Sequence, residues 1–178
     1  MGFRVTATDI DDSTILDHLR ANVTRNQPLF RRGAINIQPL DLLQPDLNSP
    51  APVEQLADRY DLIIAGDLIY DNDLTEAFVA FLRRLFAQGS AGVEVLVALE
   101  KRYIFSLAEL EVAAPAYLHL LQHLRQLEDT VRVDFLEAGA VRQFFCYERG
   151  NDMVLIKLAA AARGKSVNMN EAVHDLNS

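Results

Sequence analysis

The stretch Asp61-Leu-Ile-Ile-Ala-Gly66-Asp67-Leu-Ile-Tyr70-Asp71 decides the fold. Asp61–Gly66 is a nearly continuous apolar run, as expected of a strand buried on both faces of a parallel sheet. A polar turn follows, and then Asp73–Gln88, where Leu74, Phe78, Phe81, Leu82, Leu85 and Phe86 recur at helical spacing. Asp73 with Glu76 has capping-box spacing, and Gly89 stops the helix. Val93–Leu99 is the next apolar strand, so the stretch opens a strand–helix–strand unit.

Towards the amino terminus the same alternation continues. Phe3–Thr8 reads as a short strand ended by Asp9. Asp12–Asn26 reads as a helix with Ile15, Leu16, Leu19 and Val23 on one face, capped by Asp12 or Ser13 and followed by Pro28. Ala34–Gln38 is a second short strand, and Gln44 to about Pro52, with Pro45, Pro50 and Pro52, is a loop.

Towards the carboxyl terminus, Ser106 with Glu109 repeats the capping-box pattern ahead of a helical stretch to about Glu128. Pro115 inside that stretch is expected to kink or split it. Val131–Leu136 and Met153–Leu158 read as strands, with Phe144–Glu148 between them as a strand or a short helix. The connection leaves no room for a long crossover helix, so the last two strands are expected as an antiparallel pair at one edge. Residues 1–158 are expected to form one domain and 159–178 a frayed, disordered tail. The alternation predicts an α/β fold with a mostly parallel sheet and right-handed crossovers.

Composition narrows the function classes. A chain of 178 residues, half apolar and a quarter charged, suits a single globular core. The net charge of −8 argues against direct nucleic-acid binding, which needs a basic face. No apolar run approaches the roughly 18 residues of a membrane span, and Met1–Val5 lacks the apolar centre of a signal peptide. The lone cysteine, Cys146, excludes an internal disulfide, fits a reducing compartment and reads as a small apolar core residue. A cytoplasmic or nuclear location is the expectation.

Open α/β sheets bind ligands at the carboxyl ends of their strands, which singles out three positions. Asp9 either accepts hydrogen bonds from ribose hydroxyls or serves as a cap or turn residue. Asp41-Leu42 follows the second strand; there a carboxylate and an apolar side chain either grip an adenine or belong to an ordinary loop. Gly66 allows close backbone approach. Asp67 and Tyr70 either orient and hold an incoming ammonium by charge and aromatic face, or Asp67 and Asp71 cap the helix with Tyr70 as its staple. His119 and His123 lie four apart on one helix, but no third ligand accompanies them in sequence, so they read as structural and no metal is expected. His18 and His174 lie apart from them. No nucleophile elbow, phosphate-binding loop or Cys-x-x-Cys motif is present.

Taken in order, these residues resemble the seven-strand S-adenosylmethionine-dependent methyltransferases that modify protein lysines. The resemblance rests on Val5-Thr-Ala-Thr-Asp9, Asn22-Val-Thr-Arg-Asn26, Leu40-Asp41-Leu42 and Asp67-Leu-Ile-Tyr70, and runs from about residue 4 to 158. Glu100-Lys-Arg-Tyr-Ile-Phe-Ser and Phe145-Cys-Tyr-Glu-Arg resemble segments of one member of that family. The resemblance implies a Rossmann-like sheet with helices on both faces and S-adenosylmethionine as cofactor. It also implies methyl transfer to a lysine of a protein partner. Asp9 would hold the ribose, Asp41 and Leu42 the adenine, Gly66 the cofactor edge, and Asp67 with Tyr70 the substrate amine. Leu42 stands where the family has Trp. The family's sheet order is 3-2-1-4-5-7-6, and the first strand with its Glu-x-Gly-x-Gly-x-x-Gly loop is missing from this sequence. The missing strand would lie between the Asp9 strand and the Asp67 strand. A non-catalytic remnant acting as a binding module is the alternative, and a dinucleotide-binding oxidoreductase is a third reading that shares only the acid after the second strand.

Overall fold

The computed structural model describes residues 3–30, 35–47, 49–87, 92–106, 111–144, 146, 150 and 152–161. The chain divides into two compact units, 1–53 and 54–178.

In the first unit, β1 (Val5–Asp9) and β2 (Ile35–Pro39) pair in parallel, with Asp9 opposite Pro39. The crossover between them carries α1 (Ser13–Asn26) and a single 3-10 turn, Gln27–Leu29. The Asp12 carboxylate caps α1 by accepting from the amides of Thr14 (2.8 Å) and Ile15 (3.1 Å). Ile15, Leu16, Leu19 and Val23 are the residues of α1 withdrawn from solvent, Leu16 most completely. Ala34 of the expected second strand lies outside the described residues.

In the second unit, β3 (Leu62–Gly66), β4 (Glu94–Glu100), β7 (Val131–Leu136) and β8 (Met153–Ala160) form a sheet of order β3-β4-β8-β7. β3 and β4 are parallel; β8 runs antiparallel to both β4 and β7. The last two strands are thus the expected antiparallel pair, with β7 at the edge. The separate orders β2-β1 and β3-β4-β8-β7 match the 3-2 and 4-5-7-6 runs of the expected strand order, in the expected α/β fold.

Helix α2 (Val53–Arg59), which the sequence reading left without an element, precedes β3, and the Glu54 carboxylate accepts from Arg84 Nε at 2.7 Å on α3 (Asn72–Phe86). α3 begins two residues earlier than its capping-box spacing suggested. Asp71, not Asp73, is the cap: its carboxylate accepts from Leu74 N–H at 3.0 Å, and its carbonyl accepts the hydroxyl of the fully buried Thr75 at 2.6 Å. Gln88 and Gly89 lie outside the described residues.

The core of this unit joins Phe78, Leu82 and Leu85 of α3 to Leu120 and Leu124 of α4 (Pro115–Arg125). Val95 and Val97 of β4, Val131 of β7, and Ile156 and Leu158 of β8 complete it. Burial alternates along β4, so one of its faces is closed off completely.

Two expectations give way. The helix expected from Ser106 does not form there: β5 (Ile104–Ser106) and β6 (Glu111–Ala113) make an antiparallel pair, and 107–110 lie outside the described residues. Pro115 is the first residue of α4 rather than a kink within it. A proline disfavours helical backbone in the residue before it and suits a helix's first position. Ala114 accordingly has φ −107° and ψ 79°. The Asp61–Gly66 strand is not buried on both faces either: Leu62 is 49% and Ile64 68% exposed. β3 pairs only with β4 among the described residues, and Leu62 and Ile64, two positions apart, lie on one face of it that is left open to water.

β8 extends to Ala160, two residues into the expected tail, and 162–178 lie outside the described residues. Cys146 is exposed rather than buried and is itself in neither helix nor strand. Residues 145 and 147–149 of the expected Phe144–Glu148 element are not described. Among the described residues no helix is long and apolar enough to cross a membrane.

Truncating Leu82 to Ala is expected to destabilise the protein by about 2–5 kcal/mol, because its side chain is fully enclosed. Asp71→Ala should cost about 1 kcal/mol through the lost cap. Urea denaturation checks both; the midpoint should fall with the slope unchanged.

Candidate active site

The residues singled out in sequence fall into two groups, one in each unit. Asp9 leaves the carboxyl end of β1, and Asp41-Leu42 leaves the same edge of the parallel pair just beyond β2. Leu40 N–H donates to the Asp9 carbonyl at 2.8 Å, which fixes the path of the chain between them. One oxygen of Asp9 accepts from Ile10 N–H at 2.8 Å, and one oxygen of Asp41 accepts from Leu43 N–H at 2.9 Å. The second oxygen of each carboxylate meets no partner among the described residues. Both side chains therefore brace their own turns and still offer an acceptor outward. Leu42 is half-buried beside them. In the Asn22–Asn26 segment, Asn26 Nδ2 donates to the Asn22 carbonyl at 2.8 Å, which ties down the last turn of α1.

The second group is built on the carboxyl end of β3. A Cβ added at Gly66 would meet nothing within 4 Å, so open space lies beside that backbone. Asp67 has φ 53°, in the left-handed region that costs most residues about a kcal/mol and that Asp tolerates better than most. Its amide donates to the Ala98 carbonyl at 2.9 Å, continuing the β3–β4 ladder past Gly66. The chain thus swings abruptly out of the sheet while remaining tied to it, and the Asp67 carboxylate projects at the sheet's carboxyl edge. Strained backbone of this kind clusters at functional sites.

Arg102 occupies that carboxylate. Its Nη2 lies 2.9 Å from both oxygens of Asp67, and its guanidinium stands over the Tyr70 ring at 5.5 Å from the centroid. Arg102 follows β4, whose parallel pairing with β3 brings the two strands' carboxyl ends to one edge. Tyr70 is 54% exposed, which a packed staple would not be. Asp71 performs the capping role that had been the alternative for both aspartates.

Arg102 was missed in the reading of single positions. The only signal was its place in Glu100-Lys-Arg-Tyr, directly after an apolar strand parallel to the one before Asp67. Lys101 beside it lies over the Tyr117 ring at 5.1 Å. His119 and His123 acquire a neighbour that the sequence did not indicate, Glu76 of α3.

The profile of a family described as lysine methyltransferase matches residues 1–130. Human methyltransferase-like protein 22 is 29% identical over 177 residues, which cover 90% of this chain and 43% of that protein. The mouse protein of the same name is 30% identical over 174 residues, 89% of this chain and 44% of its own. The chain spans less than half the length of these curated relatives. With the family profile matching most of the chain, on a mixed α/β fold whose acids emerge at the strands' carboxyl ends, the protein belongs to the lysine methyltransferase family.

Proposed function

We propose that the protein transfers a methyl group from S-adenosylmethionine to the side-chain amine of a lysine in a protein substrate. The observation that carries this reading is the cation held by Asp67 and Tyr70. A guanidinium rests against both carboxylate oxygens at 2.9 Å and over an aromatic face. A lysine ammonium asks for the same two contacts, one by charge and one by the ring quadrupole. The pair is open to solvent, with 54% of the Arg102 and 67% of the Asp67 side chain exposed. Exposed ion pairs contribute at most about 1 kcal/mol, so an incoming lysine can displace Arg102.

S-adenosylmethionine, when bound, supplies an electrophilic methyl group. Each unit taken by itself has residues that suit it: in the first, Asp9 and Asp41 each have one carboxylate oxygen without a partner among the described residues, as a ribose hydroxyl or an exocyclic amine asks, and Leu42 offers an apolar face; in the second, Gly66 leaves room beside the backbone. In this reading, residues 1–158 form the methyltransferase-like domain. Asp67 draws in and orients the ammonium. Tyr70 holds the cation until its proton passes to the solvent that reaches this open cluster, since only the neutral amine has a lone pair for attack. Positioning, rather than strong acid–base chemistry, provides most of the acceleration. The acidic chain suits a Lys-bearing protein partner.

The second reading, a binding module without catalysis, draws on one observation. β3 presents Leu62 and Ile64 to solvent on an edge with a single strand neighbour among the described residues. Calorimetry with S-adenosylmethionine separates the two. Binding by the protein, weakened tenfold or more in Asp9→Asn, follows from the first reading; no heat of binding follows from the second.

Asp67→Asn retains a residue that tolerates the left-handed backbone and removes the charge. It is expected to lower kcat/KM for methylation of lysine-containing proteins by at least about a hundredfold. Tyr70→Ala should lower it about tenfold, a loss on the scale of one cation–π contact. Arg102→Ala should leave kcat in place and reduce KM, because it removes the internal competitor. Radiolabelled methyl transfer measures all three, and full activity in Asp67→Asn would overturn the assignment.

A further inference from the structure

We propose that Glu76 of α3 with His119 and His123 of α4 forms a zinc-binding site that joins the two helices. The site is independent of the methyl-transfer reading. One turn of α4 separates the two histidines, so their rings share a face of the helix, and their centroids lie 4.4 Å apart. α3 packs against α4 and presents Glu76 between them. Glu76 Oε1 is 3.1 Å from His119 Nε2 and 3.9 Å from His123 Nε2. One ligand atom from each of the three residues lies within 4.8 Å of the other two.

Around a tetrahedral zinc, with bonds of about 2.0–2.1 Å, ligand atoms sit roughly 3.3 Å apart. The two Glu76–histidine separations, 3.1 and 3.9 Å, lie on either side of that value. Two imidazoles and one carboxylate are a known catalytic zinc set, three protein ligands with a fourth place for water. Imidazole nitrogen disfavours magnesium and calcium, which seek oxygen. Zinc also has no geometric preference from its filled d shell and so accepts an irregular trio.

The environment permits loading. Both histidine side chains are 22% exposed and that of Glu76 is 55% exposed, so an ion enters from solvent while the helices hold its ligands. In the absence of metal, His119 and Glu76 hydrogen-bond directly at 3.1 Å. Zinc would take the Nε2 lone pair of the neutral tautomer that carries its proton on Nδ1, in place of that hydrogen bond. The bound ion would tie α3, which follows the Asp67–Tyr70 turn, to α4.

The test is calorimetric titration of the metal-free protein with zinc chloride, with thermal unfolding at each step. Wild-type protein should bind one equivalent, and its midpoint should rise by about 5–10 °C at a hundredfold excess over the dissociation constant. His119→Ala and His123→Ala should each weaken binding at least about a hundredfold, and Glu76→Gln about tenfold or more. His18→Ala and Cys146→Ala should bind as the wild type does. Should a variant fail to fold, NMR of the wild-type protein decides: zinc must shift the imidazole signals of His119 and His123 and leave that of His18. No binding by the wild type, equal binding by the ligand variants, or unmoved His119 and His123 signals would overturn the proposal.

Discussion

One hydrogen bond, from the Asp67 amide to the Ala98 carbonyl, sets the geometry on which the candidate site depends. It extends the parallel β3–β4 ladder one residue past Gly66 and holds Asp67 at φ 53°. Parallel pairing sends both chains out of the sheet at the same edge. The carboxylate after β3 and the guanidinium after β4 consequently meet without any dedicated loop to bring them together. An antiparallel neighbour would have put Arg102 at the opposite end. The charge pairing is thus a by-product of strand direction, and strand direction follows from α3 bridging β3 and β4 as a crossover helix.

Much of this architecture was legible because local patterns and tertiary packing agree. The Ile15, Leu16, Leu19 and Val23 stripe is the face of α1 withdrawn from solvent, and Val131–Leu136 is a strand over that same range. The readings that failed each required a partner remote in sequence. The apolar run before Gly66 says that it prefers burial, but whether a face of the strand is covered is decided by what packs on the sheet, and the Leu62–Ile64 face of β3 is open. Ser106 and Glu109 have capping spacing, yet Ile104, Phe105 and Val112 favour extended backbone, and Pro115 cannot sit within the helix the spacing implies.

The site follows the same division. Asp9, Asp41, Gly66, Asp67 and Tyr70 stand out by their place after strands, which is a local property. The role of Asp71 was an open alternative until the Leu74 amide and the Thr75 hydroxyl were seen to turn onto it. The partners of Arg102 and Glu76 could not be read from sequence, because each lies at least 35 positions away. Charged residues on a solvated surface carry no periodic signature, and only the packing of β4 beside β3 and of α4 beside α3 shows which of them meet.

The anchoring at the two ends of the Asp67–Asp71 turn has a consequence for how such a site diversifies. Its entry is clamped by a ladder amide and its exit by a capping carboxylate and a buried threonine hydroxyl. Between those clamps the backbone route is settled by main-chain bonds and by Thr75, not by the identities of residues 68–70. Of these, Ile69 is buried and contributes to packing, whereas Tyr70 is largely in solvent. The outward position can accept new side chains without refolding the turn. Single exchanges there would alter the chemistry offered at the mouth of the turn while leaving its two clamps in place.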